Sequence, residues 1–299
     1  MQIGVTGVHG LAGSALVPFL RAEGHRVARF VRGAPQESDE IAWTPDSGIS
    51  DPPRAEGLDA VIHLAGESIA GRWTEARKAE IRRSRVEGTR RLCESLARLA
   101  RPPRVLLSAS AVGFYGNRGG EMLLETSAPG SGFLADVCRG WEAATAPLAK
   151  AGVRVVHLRF GMMLSQAGGG LGTMLLPFRL GLGGKLGAGD QFMSWVALDD
   201  VLTATRHILS MESLVGPVNV VAPSPVTNAE FARTLAGSLH RPALLPAPAF
   251  ALRLALGEMA DEMLLASQRA LPGRLRETGY EFRFPQLDAA LRHLLASGE

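Results

Sequence analysis

Apolar residues in the first 160 positions fall into short runs separated by longer amphipathic stretches. The run Gln2–Thr6 leads into glycines at 7, 10 and 13, then into residues 11–23 carrying Leu16, Val17, Phe19 and Leu20, which predicts strand, tight turn and helix. Gly24 and His25 end that helix, and Arg26–Val31 predicts a second strand, completing a βαβ unit of about thirty residues. Further strands are expected at 60–64, 104–109 and 153–158, with helices at 75–100 and 133–150. Strand runs that are apolar without strict alternation belong in a parallel sheet covered on both faces. The expected fold class is therefore α/β, a Rossmann-type doubly wound parallel sheet. From Gly168 the pattern changes. A glycine-rich stretch over 168–189 predicts a flexible loop suited to closing on a substrate, followed by an apolar run at 192–198, a short helix from Asp199, a strand near 218–221, a helix at 228–239 and proline-punctuated helical pieces. This divides the chain into 1–165, a dinucleotide-binding domain that also receives parts of 190–222, and 166–299, a substrate loop with a smaller C-terminal α+β cap.

Composition narrows the class. With 46% hydrophobic and 20% charged residues the chain can bury a core and is neither disordered nor fibrous. No stretch of ~18 consecutive apolar residues occurs, and Met1 enters a strand-like run with no leader pattern, so a cytoplasmic protein without membrane association is expected. The net charge of +3 carries little information, because every basic residue except Lys78, Lys150 and Lys185 is arginine, a compositional background. The arginine-rich run 72–89 intersperses acids and has few aromatics, so no nucleic acid is expected as a partner. Cys93 and Cys138 are isolated and read as reduced thiols, and no metal site is expected. A homo-oligomer is left open.

The glycines locate the chemistry. Thr6 to Gly13 spells T-G-x-x-G-x-x-G between a predicted strand and a predicted helix, the context in which one glycine permits the turn, one admits a pyrophosphate and one allows close helix–strand packing. Gly7, His9, Gly10, Leu11 and Gly13 are the candidate cofactor-binding residues there. At the end of the second strand stand Val31 and Arg32, with no acid before Glu37. A carboxylate there would take the ribose 2′-hydroxyl of NAD, whereas an arginine fork suits the 2′-phosphate of NADP, so NADP(H) is the expected cofactor.

With these residues the sequence resembles the short-chain dehydrogenase/reductase superfamily in its extended branch, and within it the atypical NAD-dependent epimerase-like group that ends in a C-terminal domain of unknown function. The resemblance rests on His63-Leu64-Ala65-Gly66, Ser108 to Gly116, Arg159-Phe160-Gly161, Trp195 to Val201, Asn219 to Pro223, Asn228 to Phe231 and Leu271 to Leu275. It implies that Leu64, Ala65 and Gly66 line the adenine–ribose side, that Ser108 borders the cofactor, that Ser110 is the active-site serine polarising the substrate, and that Met163, with Met162, covers the nicotinamide. It implies a hydride-transferring oxidoreductase or epimerase-like enzyme acting on a small polar or sugar-like substrate.

One departure sets a second reading beside that one. The superfamily's Y-x-x-x-K pair, a proton-transferring tyrosine and the lysine that lowers its pKa, is replaced by Leu134 and Cys138 when helix 132–142 is registered on Glu142. Neither replacement does that work, so a non-catalytic NADP(H)-binding sensor or interaction protein stands as the alternative. Tyr115 belongs to the Y-G turn, and Asp136 and Arg139 flank the vacated positions. In the 72–89 run Arg85 is a candidate phosphate contact and Glu80 its orienting partner or a ribose ligand, against the plainer reading of a charged solvent face. Arg179, Gln191 and Trp195 are the candidates near the glycine-rich loop.

Overall fold

A computed structural model describes residues 1–296. Strands β1 (Gln2–Thr6), β2 (Arg26–Val31), β3 (Glu40–Thr44), β4 (Gly48–Ile49), β5 (Ala60–His63) and β6 (Val105–Ala111) join strands Arg154–Phe160 and Gly216–Val220 in one eight-stranded sheet. All neighbours are parallel except the short edge pair β3 and β4. The chain runs outward from β1 through β2 and β3 to β4, then returns to β5 on the other side of β1 and continues outward to Gly216–Val220. That reversal leaves a crevice at the C-terminal ends of β1 and β5, where open α/β sheets hold ligands.

The helices are α1 (Leu11–Ala22), α2 (Glu75–Arg82), α3 (Gly88–Ala97), α4 (Phe133–Ala143), α5 (Ala146–Lys150), α6 (Gly169–Arg179), α7 (Leu198–Ser210), α8 (Asn228–Ser238), α9 (Ala249–Leu256), α10 (Gly273–Glu277) and α11 (Leu287–Ala296). One sheet face buries Ile3, Val5, Leu107 and Leu158 against Leu16 and Leu20 of α1 and Val201 and Ile208 of α7. The opposite face buries Val61, Leu106 and Val155 under Leu92, Cys93 and Leu96 of α3 and Leu148 of α5. Burial on both faces is why these strands read as unbroken apolar runs. A third core joins α6, α8 and α11 through Leu175, Phe231, Leu235 and Leu291. Short parallel pairs, Met162–Leu164 with Trp195–Ala197 and Met122–Leu123 with Arg269–Ala270, bind the later segments to the sheet end. Among the described residues no helix is long and apolar enough to cross a membrane.

Several expected elements change. The stretch 168–189 is not one flexible loop, because α6 occupies its first half, burying Leu171, Leu175 and Phe178. Their i, i+4, i+7 spacing supplies an apolar stripe that outweighs the helix-weakening glycines and Pro177. The helix expected at 75–100 contains a π-helical turn over Arg83–Glu87, and that expected at 133–150 breaks between α4 and α5. Strands β3 and β4 lie in a stretch too short and polar for periodicity to mark them.

Candidate functional site

The turn after β1 is glycine-dependent at two points. Gly7 has φ +70°, and a Cβ there would stand 2.7 Å from the Leu64 carbonyl carbon. A Cβ on Gly13 would stand 2.8 Å from the Gly7 carbonyl carbon and 2.9 Å from Val8 Cα, so α1 lies against the turn as only glycine permits. Gly10 N donates to Gly7 O at 2.9 Å, and α1 opens at Gly10 with no side-chain cap and no acid in its first turn. Uncapped N–H groups at the positive end of a helix dipole suit a pyrophosphate. His9 and Gly10 are exposed and Leu11 is half-buried.

The facing strand end is locked by a buried chain of hydrogen bonds. Thr6 Oγ1 accepts from Leu64 N at 3.0 Å and Ala65 N at 3.2 Å, which leaves its proton for His63 Nδ1 at 2.8 Å. His63 then carries its own proton on Nε2 and donates to Thr89 Oγ1 at 2.8 Å. Burial pushes the His63 pKa down to about 3, so the imidazole is neutral. This chain holds Leu64, Ala65 and the exposed Gly66 beside the glycine turn.

Arg32 follows β2 with its side chain 64% exposed and pairs with Glu67 at 2.9 Å, while Val31 beside it is half-buried. Arg85 lies on the π-helical turn, lowered from the usual guanidinium range by burial, with Nη1 donating to Glu67 O at 2.9 Å and Cζ 5.1 Å from the Trp141 ring. A Cβ on Gly66 would stand 3.2 Å from Arg85 Cζ, which places the guanidinium at the mouth of the crevice. Glu80 does not orient Arg85. Its carboxylate pairs with Arg83 at 3.0 Å, three residues on along the helix surface.

The other end of the crevice departs further from expectation. Leu134 and Cys138 face Gly113, whose Cβ would lie 3.5 Å from Leu134 Cβ and 3.9 Å from Cys138 Sγ. Burial pushes the Cys138 thiol up to about 12, which leaves it neutral. Ser110 is 2% exposed and donates to Glu142 Oε1 at 2.8 Å. Glu142 also receives both Nε and Nη2 of Arg159, at 2.8 and 2.9 Å. Arg159 Nη1 donates to the Tyr115 hydroxyl at 3.0 Å, Tyr115 donates to Asn219 Oδ1 at 2.7 Å, and Asn219 N donates to Glu125 Oε1 at 3.0 Å. Ser110, Arg159 and Asn219 occupy one register row across three adjacent strands, so the network follows from the pairing. Two rows earlier, Ser108 Oγ is buried without a hydrogen-bond partner among the described residues.

Other candidates are scattered. Asp136 and Arg139 pair with each other, half-exposed. Met162 and Met163 are half-buried at the strand end after Gly161, where a Cβ would stand 2.9 Å from the Ser194 carbonyl carbon. Arg179 is exposed and donates to Gln166, Gln191 bonds the Leu186 and Leu264 carbonyls, and Trp195 is fully buried with Nε1 on Ser224 O. Glu142 carried a sequence signal, standing four residues past Cys138 on the same helix face. Glu262 carried none: from the C-terminal part it accepts from Phe133 N at 3.2 Å and Leu134 N at 3.1 Å, capping α4 across 128 residues of sequence.

A profile of the NAD dependent epimerase/dehydratase family matches residues 3–221, and a profile of a domain of unknown function, DUF1731, matches residues 247–294. The chain is 43% identical over 290 residues to the epimerase family protein Mb2239 of Mycobacterium bovis, covering 97% of this chain and 96% of that protein. The crystal structure of human epimerase family protein SDR39U1 with NADPH superposes with a TM-score of 0.91 at 35% identity, covering 100% of both chains. A nucleoside-diphosphate sugar epimerase structure from Corynebacterium glutamicum superposes with a TM-score of 0.83 at 36% identity, covering 99% of this chain and 58% of that one.

Proposed function

The chain belongs to the NAD dependent epimerase/dehydratase family, and from that premise we propose that it is an NADP(H)-binding oxidoreductase or epimerase-like enzyme. The observation that carries the cofactor is the packing of Gly13 on Gly7, a cradle that any Cβ fills. The uncapped start of α1 receives the pyrophosphate, Arg32 the 2′-phosphate, and Leu64 to Gly66 the adenine–ribose side, with Arg85 as a further phosphate contact and Met163 along the nicotinamide half. The human relative determined with NADPH supports NADP over NAD. When bound, the reduced cofactor supplies a hydride, and the chain's own residues position it and exclude water.

The test is a nicotinamide-fluorescence titration of purified protein with NADPH. Gly13→Val is expected to lose at least about a hundredfold in affinity while far-ultraviolet circular dichroism shows it folded. Wild-type affinity in that variant overturns the reading. The second reading, a non-catalytic NADP(H) sensor, is favoured by the packing of Leu134 and Cys138 on Gly113. It holds if NADPH binds tightly and no acceptor oxidises it.

A further inference from the structure

The substrate end of the crevice is walled by apolar side chains. Leu134 and Phe133 of α4 cluster with Ile69, Trp73, Met259 and Met263, the last two contributed by the C-terminal part. Ile69, Phe133, Leu134 and Met263 keep partial exposure, so this wall can be reached from solvent. Trp73 Nε1 donates to Ile69 O at 2.8 Å and both Glu262 oxygens take the first N–H groups of α4, while at the edge of the wall Lys78 Nζ and Arg82 Cζ stand 5.5 and 6.0 Å from the Phe133 ring centroid. A sugar hydroxyl buried against these apolar side chains gives up its hydrogen bonds to water without replacement. Flat apolar rings suit a wall of aromatic and methionine side chains.

Among the described residues, neither tyrosine, Ser110 nor Cys138 offers a free proton at that end. The chain has two tyrosines, and both are engaged, Tyr115 with Asn219 and Tyr280 with Thr203 and Asp200. Ser110 donates its proton in a hydrogen bond to Glu142 Oε1, and the Cys138 thiol is buried and neutral. An ordinary ketone or sugar develops localised alkoxide charge that calls for an acid in the transition state. A conjugated acceptor spreads that charge over its own π system and does not.

We propose that the substrate is an apolar conjugated carbonyl compound, a quinone or an enone, seated on Phe133, Leu134, Met259 and Met263, rather than a sugar. This deepens the oxidoreductase reading and rests on it. In the balanced step the acceptor gains a hydride from the reduced nicotinamide dinucleotide, its conjugated π pair moves to oxygen, and one proton from water completes the hydroquinone or saturated ketone. The dinucleotide leaves oxidised.

The experiment titrates NADPH-loaded full-length protein by calorimetry with 2,3-dimethyl-1,4-naphthoquinone, whose ring carbons are blocked against thiol addition, and with UDP-glucose, and follows NADPH oxidation in parallel. Saturable quinone binding, oxidation at least about tenfold above the protein-free blank and no heat from UDP-glucose are expected. Met263→Asp is expected to weaken quinone binding about tenfold, with Met263→Leu near wild type and NADPH affinity unchanged in both. Binding of UDP-glucose in place of the quinone, or an unaffected Met263→Asp, overturns the substrate class alone. Quinone binding without oxidation overturns the reduction and the oxidoreductase reading with it.

Discussion

The two ends of the crevice answer to different kinds of constraint. At the phosphate end the requirement falls on the backbone: Gly7 needs positive φ, Gly13 needs no Cβ, and Thr6 holds two N–H groups of the next strand end. At the opposite end the requirement falls on side chains, and a side chain is replaced without disturbing the sheet beneath it. Leu134 and Cys138 pack on Gly113 there, and Ser110 donates to the carboxylate of a buried ion pair. A cofactor cradle therefore persists independently of the reaction, which is why the fold alone does not name the chemistry.

The sharpest way to separate the ends is through Glu142. Its partner Arg159 has a side chain only 4% exposed, so Glu142→Ala leaves a buried guanidinium with no carboxylate. Losing one member of such a pair costs about 3–5 kcal/mol, read as a fall in the urea midpoint at unchanged slope. NADPH affinity is expected to stay within about threefold of wild type, since one subsite is untouched and additivity holds for distant groups. A large loss of affinity at small loss of stability would join the two ends and break the comparison.

The same contrast explains what was legible in the sequence. Strand, turn and helix at residues 2–22 could be read directly because glycine spacing and apolar periodicity report backbone demands that are local in sequence. The Glu142–Arg159 pair could not, because it depends on which strands become neighbours, a property of register. Glu262 capping α4 is more distant still. Helix α6 was hidden by composition: its glycines and proline speak for a loop, while Leu171, Leu175 and Phe178 gain enough from packing on α8 and its neighbours to order it. For Ser110 the motif marks a strand end without saying that its hydroxyl meets Glu142 from α4.

A pH titration of stability sharpens the phosphate end. His63 has a native pKa of about 3 against an ordinary value of 6.5, so between those values the unfolded chain binds a proton that the native one refuses. Stability thus falls as pH drops from 6.5 toward 3, by at most about 1.4 kcal/mol per pH unit from this group. His63→Gln is expected to lose stability at pH 8 and to show a flatter slope between pH 6.5 and 5, measured by urea denaturation across that range. An unchanged slope would mean that the imidazole is not the buried neutral link between Thr6 and Thr89.

The smallest effect belongs to Arg32, where the phosphate end meets solvent. Its pair with Glu67 is exposed, and such pairs contribute about 0–1 kcal/mol, so the fork is free to exchange a carboxylate for a phosphate dianion. Arg32→Asp is expected to weaken NADPH about tenfold while changing NADH by less than about twofold, because only the former brings a 2′-phosphate to that position. Glu67→Gln removes the competitor and is expected to tighten NADPH by no more than about threefold. Both titrations are best run at low ionic strength, since salt screens exposed charges and the Arg32 effect is expected to shrink as it is added. Equal losses for NADPH and NADH in Arg32→Asp would return Arg32 to the arginine background and leave cofactor choice to another residue.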